Sequence, residues 1–211
     1  MSEPVIIAGR IASQDTYDRG SSKFRTIRVD PSTHALVTIG YAHYEAHNGS
    51  SYFIYYSVDN IGGLTTPNDT MTLSFTTPAT PYYHMTFHGI SGSAAQLQFI
   101  EGKTGGGTDP TGVLPVYNHN RNSTNTSSIT DVAGANVGNV SYDALVFTGG
   151  TTLVNDYIGT DDNPVSQTGG SHRSGTELIL KASTAYQLVL VDTATVPATL
   201  AMSWYEHTDK D

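Results

Sequence analysis

The sequence predicts an all-β protein, an antiparallel β-sandwich of jelly-roll type with an extended N-terminal arm. Three observations carry that prediction. The 211 residues include 29 Thr, 21 Gly, 20 Ser and 13 Tyr; Thr and Tyr favour pleated strands, while Gly and Ser favour turns. Only 14% of residues are charged, against about 25% in a typical domain, so the Lys, Glu and Arg that clothe exposed helix faces are scarce. Short alternating runs recur about every ten residues with turn signals between them, the pattern of a sandwich or barrel. Residues 31–211 are long enough to bury one core without staples and are expected to form that single domain.

Residues 1–30 read differently. They hold Arg10, Arg19, Lys23, Arg25 and Arg28, half of the ten basic residues. The stretch 13–22 has little to bury, and the one apolar patch is Val5-Ile6-Ile7. This is an arm that either stays disordered or docks on a partner through Val5, Ile6, Ile7, Arg25 and Arg28.

From Ala35 to His47 the residues alternate with period two, which predicts a strand. Asn48-Gly49-Ser50 then reads as a hairpin turn, with 51–58 as the return strand. Further strands are expected at 70–75, 82–88, 95–101, 113–117, 140–147, 176–181, 185–191 and 199–206, punctuated by Pro78, Pro81, Gly89, Gly102 to Gly107, Gly149-Gly150 and the 163–170 loop. The stretch 121–139 has room for a helical turn but no amphipathic helix. Tyr52, Tyr55, Tyr56, Tyr82 and Tyr83 cannot all enter one core, because neighbours on a strand face opposite ways. Trp204, in an alternating strand, is expected in the core.

Composition also excludes. A net charge of −9 and a pI near 5.2 argue against affinity for a nucleic-acid backbone. No run of 18 apolar residues suggests a membrane helix, and the first residues lack the basic leader and apolar core of a secretory signal. With no cysteine there are no disulfides, thiolate metal sites or cysteine nucleophiles.

Little in the sequence carries catalytic chemistry. His43 and His47 flank Glu45, and His84 and His88 flank Thr86. On a strand, residues four apart stand about 13 Å from each other, too far to share one metal at bond lengths near 2 Å. No metal or other cofactor is therefore expected, and cross-strand hydrogen bonding is the better reading of these histidines. Gly89-Ile90-Ser91-Gly92 lacks the spacing of a nucleophile elbow, Gly105-Gly106-Gly107 is not followed by Lys-Ser/Thr, and paired carboxylates are hard to place. The chain is expected not to be an enzyme. Arg121 and Arg173, the two basic residues between 104 and 180, each sit in a polar loop. They are suited to capping within one subunit or to fixing a partner's carboxylates and carbonyls.

Several strings together resemble a family of small proteins encoded among the virion structural genes of tailed bacteriophages. They are Phe24-Arg25-Thr26-Ile27-Arg28-Val29-Asp30-Pro31-Ser32-Thr33-His34, His43-Tyr44-Glu45-Ala46-His47-Asn48-Gly49-Ser50, Asn120-Arg121-Asn122-Ser123, the 169–180 stretch GGSHRSGTELIL, and Ser203-Trp204-Tyr205-Glu206-His207-Thr208-Asp209-Lys210. Where that family suggests two adjacent histidines, this chain has Tyr41-Ala42-His43-Tyr44, which lowers the expectation of a metal further. The resemblance implies a decoration, cement or head-fibre protein on the virion, made in the host bacterial cytoplasm. It would bind the major capsid protein or other virion proteins, with self-association on a three-fold axis as a homotrimer. The alternative is a carbohydrate- or receptor-binding β module of a phage fibre, in which surface Tyr stacks on sugars. A third reading, a metal-dependent jelly-roll enzyme, rests on the histidines alone.

Overall fold

The computed structural model describes residues 41–59, 70–158, 170–171, 177–192, 194 and 196–208, which from Ala42 onwards form one unit. The arm at 1–30, with Val5, Ile6, Ile7, Arg25 and Arg28, lies outside the described residues, as does Arg173.

Among the described residues the fold is all-β, two antiparallel sheets packed face to face with one short helix. Helix α1 spans Tyr41–Asn48. The strands are β1 (Ser51–Val58), β2 (Thr70–Thr76), β3 (Tyr82–Ser91), β4 (Ala95–Glu101), β5 (Gly112–Pro115), β6 (Tyr117–Asn118), β7 (Thr130–Asp131), β8 (Asn139–Tyr142), β9 (Thr151–Ile158), β10 (Gly170–Ser171), β11 (Leu178–Leu180), β12 (Ala185–Val191) and β13 (Ala198–His207). One sheet runs β10-β3-β13-β1-β6, with β11 also on β3; the other runs β5-β8-β2-β12-β4-β9, with β7 on β2.

The core follows from period two. Along β3 the burial alternates residue by residue, so Tyr83, Met85 and Phe87 point inward. They meet Leu97 and Phe99 of β4, Tyr186, Leu188 and Leu190 of β12, and Met202 and Trp204 of β13. Phe87 of the first sheet stacks on Phe99 of the second at 4.7 Å, and Phe99 on Tyr186 at 5.5 Å. As the sequence suggested, Trp204 is a core residue, and the tyrosines divide: Tyr52 and Tyr83 are buried, Tyr55 and Tyr82 exposed. The outer face of the second sheet is partly covered as well. There the buried Gln187 amide accepts from the Phe147 backbone N–H (2.8 Å) and donates to Ser74 (2.9 Å) and to the Leu145 carbonyl (3.1 Å).

The hairpin expected over 35–58 is corrected in its first arm. Residues 35–40 lie outside the described residues; 41–48 are helical, and 51–58 is a strand. The physical reason is that the β-branched residues stop at Ile39; from Tyr41 to Asn48 there are none, and two alanines and a glutamate favour helix. Gly49, at φ +76°, ends the helix and does not turn a hairpin. Its N–H bonds the Ala46 carbonyl (3.2 Å) and the Ser50 N–H bonds the Glu45 carbonyl (2.9 Å), the two bonds of a Schellman cap. A β-carbon at Gly49 would also lie 2.3 Å from Ser123 Oγ. Gly49→Ala is therefore expected to lower stability by about 1–3 kcal/mol, read as a fall in the urea midpoint; an unchanged midpoint would deny the cap this role.

The strand expected over 140–147 stops at Tyr142, because Asp143 takes a left-handed conformation (φ +51°) and turns the chain. Asp143 is buried and accepts a hydrogen bond from the Tyr56 hydroxyl. Its second carboxylate oxygen has no hydrogen-bond partner among the described residues. Burial pushes the Asp143 carboxyl above the usual carboxylate range, and the Tyr56 hydrogen bond offsets this only in part. The folded state thus holds this proton to higher pH than the unfolded chain does. Its contribution favours folding in acid and is lost as pH rises through the raised pKa. Asp143→Asn, which never ionises, should raise the urea midpoint at pH 7. The advantage should shrink as pH falls towards about 4, where unfolded carboxylates also protonate. A variant less stable than the parent at pH 7 would contradict this.

Candidate contact surface

The outer face of the first sheet carries the side chains with the least structural explanation. The register sets Ala201 of β13 between His88 of β3 and Tyr55 of β1, and Ser203 between Thr86 and Phe53. The small residues of the central strand leave a shallow furrow lined by Tyr55, Thr86, His88, Ala201 and Ser203. Tyr55, 56% exposed, faces His88 across it, ring centroids 6.4 Å apart.

From Tyr55 the aromatic surface continues along one path. Phe53 meets Tyr55 at 5.6 Å and Tyr117 at 5.9 Å, because β6 pairs with the start of β1. The His119 ring lies 4.7 Å from Phe53, and its Nδ1 is 3.2 Å from Ser51 Oγ. Partial desolvation holds the His119 imidazole below its ordinary pKa, so the ring presents itself neutral. The strip ends at Arg121, whose guanidinium sits 5.4 Å from the centre of the Tyr117 ring; Tyr117 is itself 45% exposed. Running from β3 across three strand spacings to β6, the strip is roughly 15 Å wide. Exposed Tyr with a stacked Arg is the composition enriched where proteins meet.

A second cluster on this face is inward-looking. Glu177 accepts from the Tyr205 hydroxyl (2.8 Å) and lies 3.0 Å from His84 Nδ1. The His84 ring stacks on Tyr205 at 4.7 Å and meets His207 at 4.8 Å. Burial, then the bond and charge of Glu177, push the Tyr205 phenol far up, so it serves as a hydrogen-bond donor and not as a base at neutral pH. This is the cross-strand His–Tyr–Glu bonding expected of His84, which does not share a site with His88.

Reactive geometry is otherwise thin. Ser51 and His119 form a hydroxyl–imidazole pair, but Ser51 is buried and the imidazole is a weakened base. Among the described residues no group of three His, Cys, Asp or Glu converges on a metal position, and no described helix is long and apolar enough to cross a membrane.

Of the contact residues read from the sequence, Arg121 lies in the described part and joins the strip. Tyr55 was one of the five tyrosines that could not all enter the core; Phe53, Tyr117 and His119 were not singled out as contacts, and for Phe53 the signal was the aromatic-rich β1, whose outward half needed somewhere to go. No family model matches the chain, and no curated protein or solved structure does.

Proposed function

We propose that this chain is a non-enzymatic structural protein of a phage particle. It sits on the capsid exterior as a decoration or cement component and holds capsid protein and its own copies through the strip from Tyr55 to Arg121. The observation that carries the contact is that strip: solvent-facing aromatic rings closed at one end by a stacked arginine, on a rigid sheet. The resemblance in the sequence supports the particle. The strand order supports the jelly-roll reading. The chain alternates between sheets so that β1, β13, β3 and β10 lie in one while β2, β12, β4 and β9 lie in the other. Capsid proteins, lectins and cupins share such double sheets, so the sites, not the fold, decide between them. In this reading the protein is a trimer, made in the bacterial cytoplasm, with the N-terminal arm as a second point of attachment.

The furrow between Tyr55 and His88 favours one further reading, a carbohydrate-binding module in which the exposed rings stack on sugars. Capsid co-sedimentation and a glycan array separate the two. Tyr55→Ala with Tyr117→Ala should weaken binding to capsid shells by at least about 30-fold, since even one anchoring tyrosine is worth about 2 kcal/mol or more, and light scattering of the unmodified protein should read a trimer. Full shell occupancy by the double variant would overturn the assignment of the strip. Glycan binding without shell binding would favour the second reading.

A further inference from the structure

We propose that His43 and His47 form a two-imidazole site for a divalent late transition metal, copper(II) above all. The misfit between the expected strand and the observed helix creates the site. On a strand these residues would stand about 13 Å apart; on α1 they are one turn apart on one face. Their Nε2 atoms are hydrogen-bonded to each other at 2.8 Å, with ring centroids 4.6 Å apart and planes at 60°. Both side chains are exposed, so an ion reaches them directly from solvent.

The spacing selects the geometry. Two nitrogens each about 2.0 Å from one ion lie about 2.8 Å apart when the angle at the metal is 90°, and about 3.3 Å apart at a tetrahedral angle. The hydrogen-bonded separation of 2.8 Å lies close to both values, and neighbouring corners of a square-planar or tetragonal ion, the preference of Cu(II) and Ni(II), need the smaller change. The order of intrinsic affinities for nitrogen ligands, with copper(II) at its peak, points the same way.

The turn that carries the pair is held in place. The Schellman cap at Gly49 closes its end, and the His47 carbonyl accepts a hydrogen bond from Asn120 Nδ2 at 3.0 Å. The helix backbone therefore needs no rearrangement; the rings give up their mutual hydrogen bond, and its proton, for bonds to the ion. No third protein ligand joins them among the described residues, so the remaining positions go to water or to a donor brought by another molecule. Glu45, between the two histidines in sequence, is buried and faces away from them.

The test titrates copper(II), nickel(II) and zinc(II) separately into the full chain at neutral pH in chelator-free buffer, by calorimetry. Electron paramagnetic resonance is recorded on the copper sample. The expected result is one high-affinity copper per chain, bound at least about tenfold more tightly than zinc, with superhyperfine splitting from two imidazole nitrogens. His43→Gln and His47→Gln should each weaken copper binding by about tenfold or more and leave one of those nitrogens. The proposal is overturned if the double variant binds copper as tightly as the parent, if zinc binds more tightly than copper, or if the parent spectrum shows fewer than two nitrogens. That last readout needs no variant to fold.

Discussion

Replacing Glu206 by alanine should cost about 3–5 kcal/mol of stability, the largest effect expected from a single polar side chain in this protein. Glu206 lies near the end of β13 and is buried. Its carboxylate accepts from Ser127 Oγ (2.5 Å), Ser128 Oγ (2.6 Å), the Ser128 backbone N–H (3.1 Å) and Trp204 Nε1 (3.1 Å). Among the described residues no cation answers it; neutral donors do the work that a salt bridge would do elsewhere. Hydrogen bonds to a charged acceptor contribute about 1.5–3 kcal/mol each, and a buried donor left without a partner costs about 1–3. Losing the carboxylate strands several donors at once, one of them on the core tryptophan. The segment leading into Ile129, itself fully buried, loses its tether to the first sheet. Glu206→Gln keeps one acceptor oxygen and should lose about half as much. A second readout is independent of unfolding. Burial, and after it the charge of Glu206, raises the Tyr52 phenol to about 12, so spectrophotometric titration of Glu206→Gln should find that phenol titrating lower. An unchanged urea midpoint in Glu206→Ala would refute the clamp.

Phe99→Ala should cost a similar 3–5 kcal/mol, for an apolar reason. Phe99 is fully buried, and its ring lies between Phe87 of the facing sheet and Tyr186 of its own. Truncating a core Phe loses the transfer free energy of the ring and leaves a cavity that stiff neighbouring strands cannot close. Tyr157→Ala is the control: at 81% exposure on β9 it should change stability by no more than about 0.5 kcal/mol. If the two variants unfold at the same urea concentration, the sheet-to-sheet stack does not carry the core.

How far the sequence could be read depended on whether both faces of a segment had a job. β4 and β12 were read with the limits the structure gives them, because central strands bury one face and their apolar residues repeat without interruption. β9 was missed. It lies at the edge of its sheet, most of its residues are exposed, and an edge strand needs no apolar alternation, so the Asn155-Asp156 pair hid it. The 41–48 helix was read as a strand because period two and the helical period cannot be told apart over eight residues. Asn-Gly added to the error, since hairpin turns and helix C-caps both call for a residue with positive φ. The contact strip was half legible. That β1 had more aromatic residues than one core could take was plain from Tyr52-Phe53-Ile54-Tyr55-Tyr56. That Tyr117, His119 and Arg121 complete the strip depends on the pairing of β6 with β1, a register between positions more than sixty residues apart that no local pattern encodes.

The most direct test of the proposed role is the protein composition of the particle. Phage particles from a host expressing this chain would be purified through a density gradient and analysed by quantitative mass spectrometry against the major capsid protein. The account predicts that the chain co-purifies at a fixed ratio to capsid protein, in a copy number that is a multiple of three, and that the Tyr55→Ala, Tyr117→Ala variant is depleted from the particles. Its absence from purified particles, while it accumulates as soluble protein in the same lysate, would contradict the account.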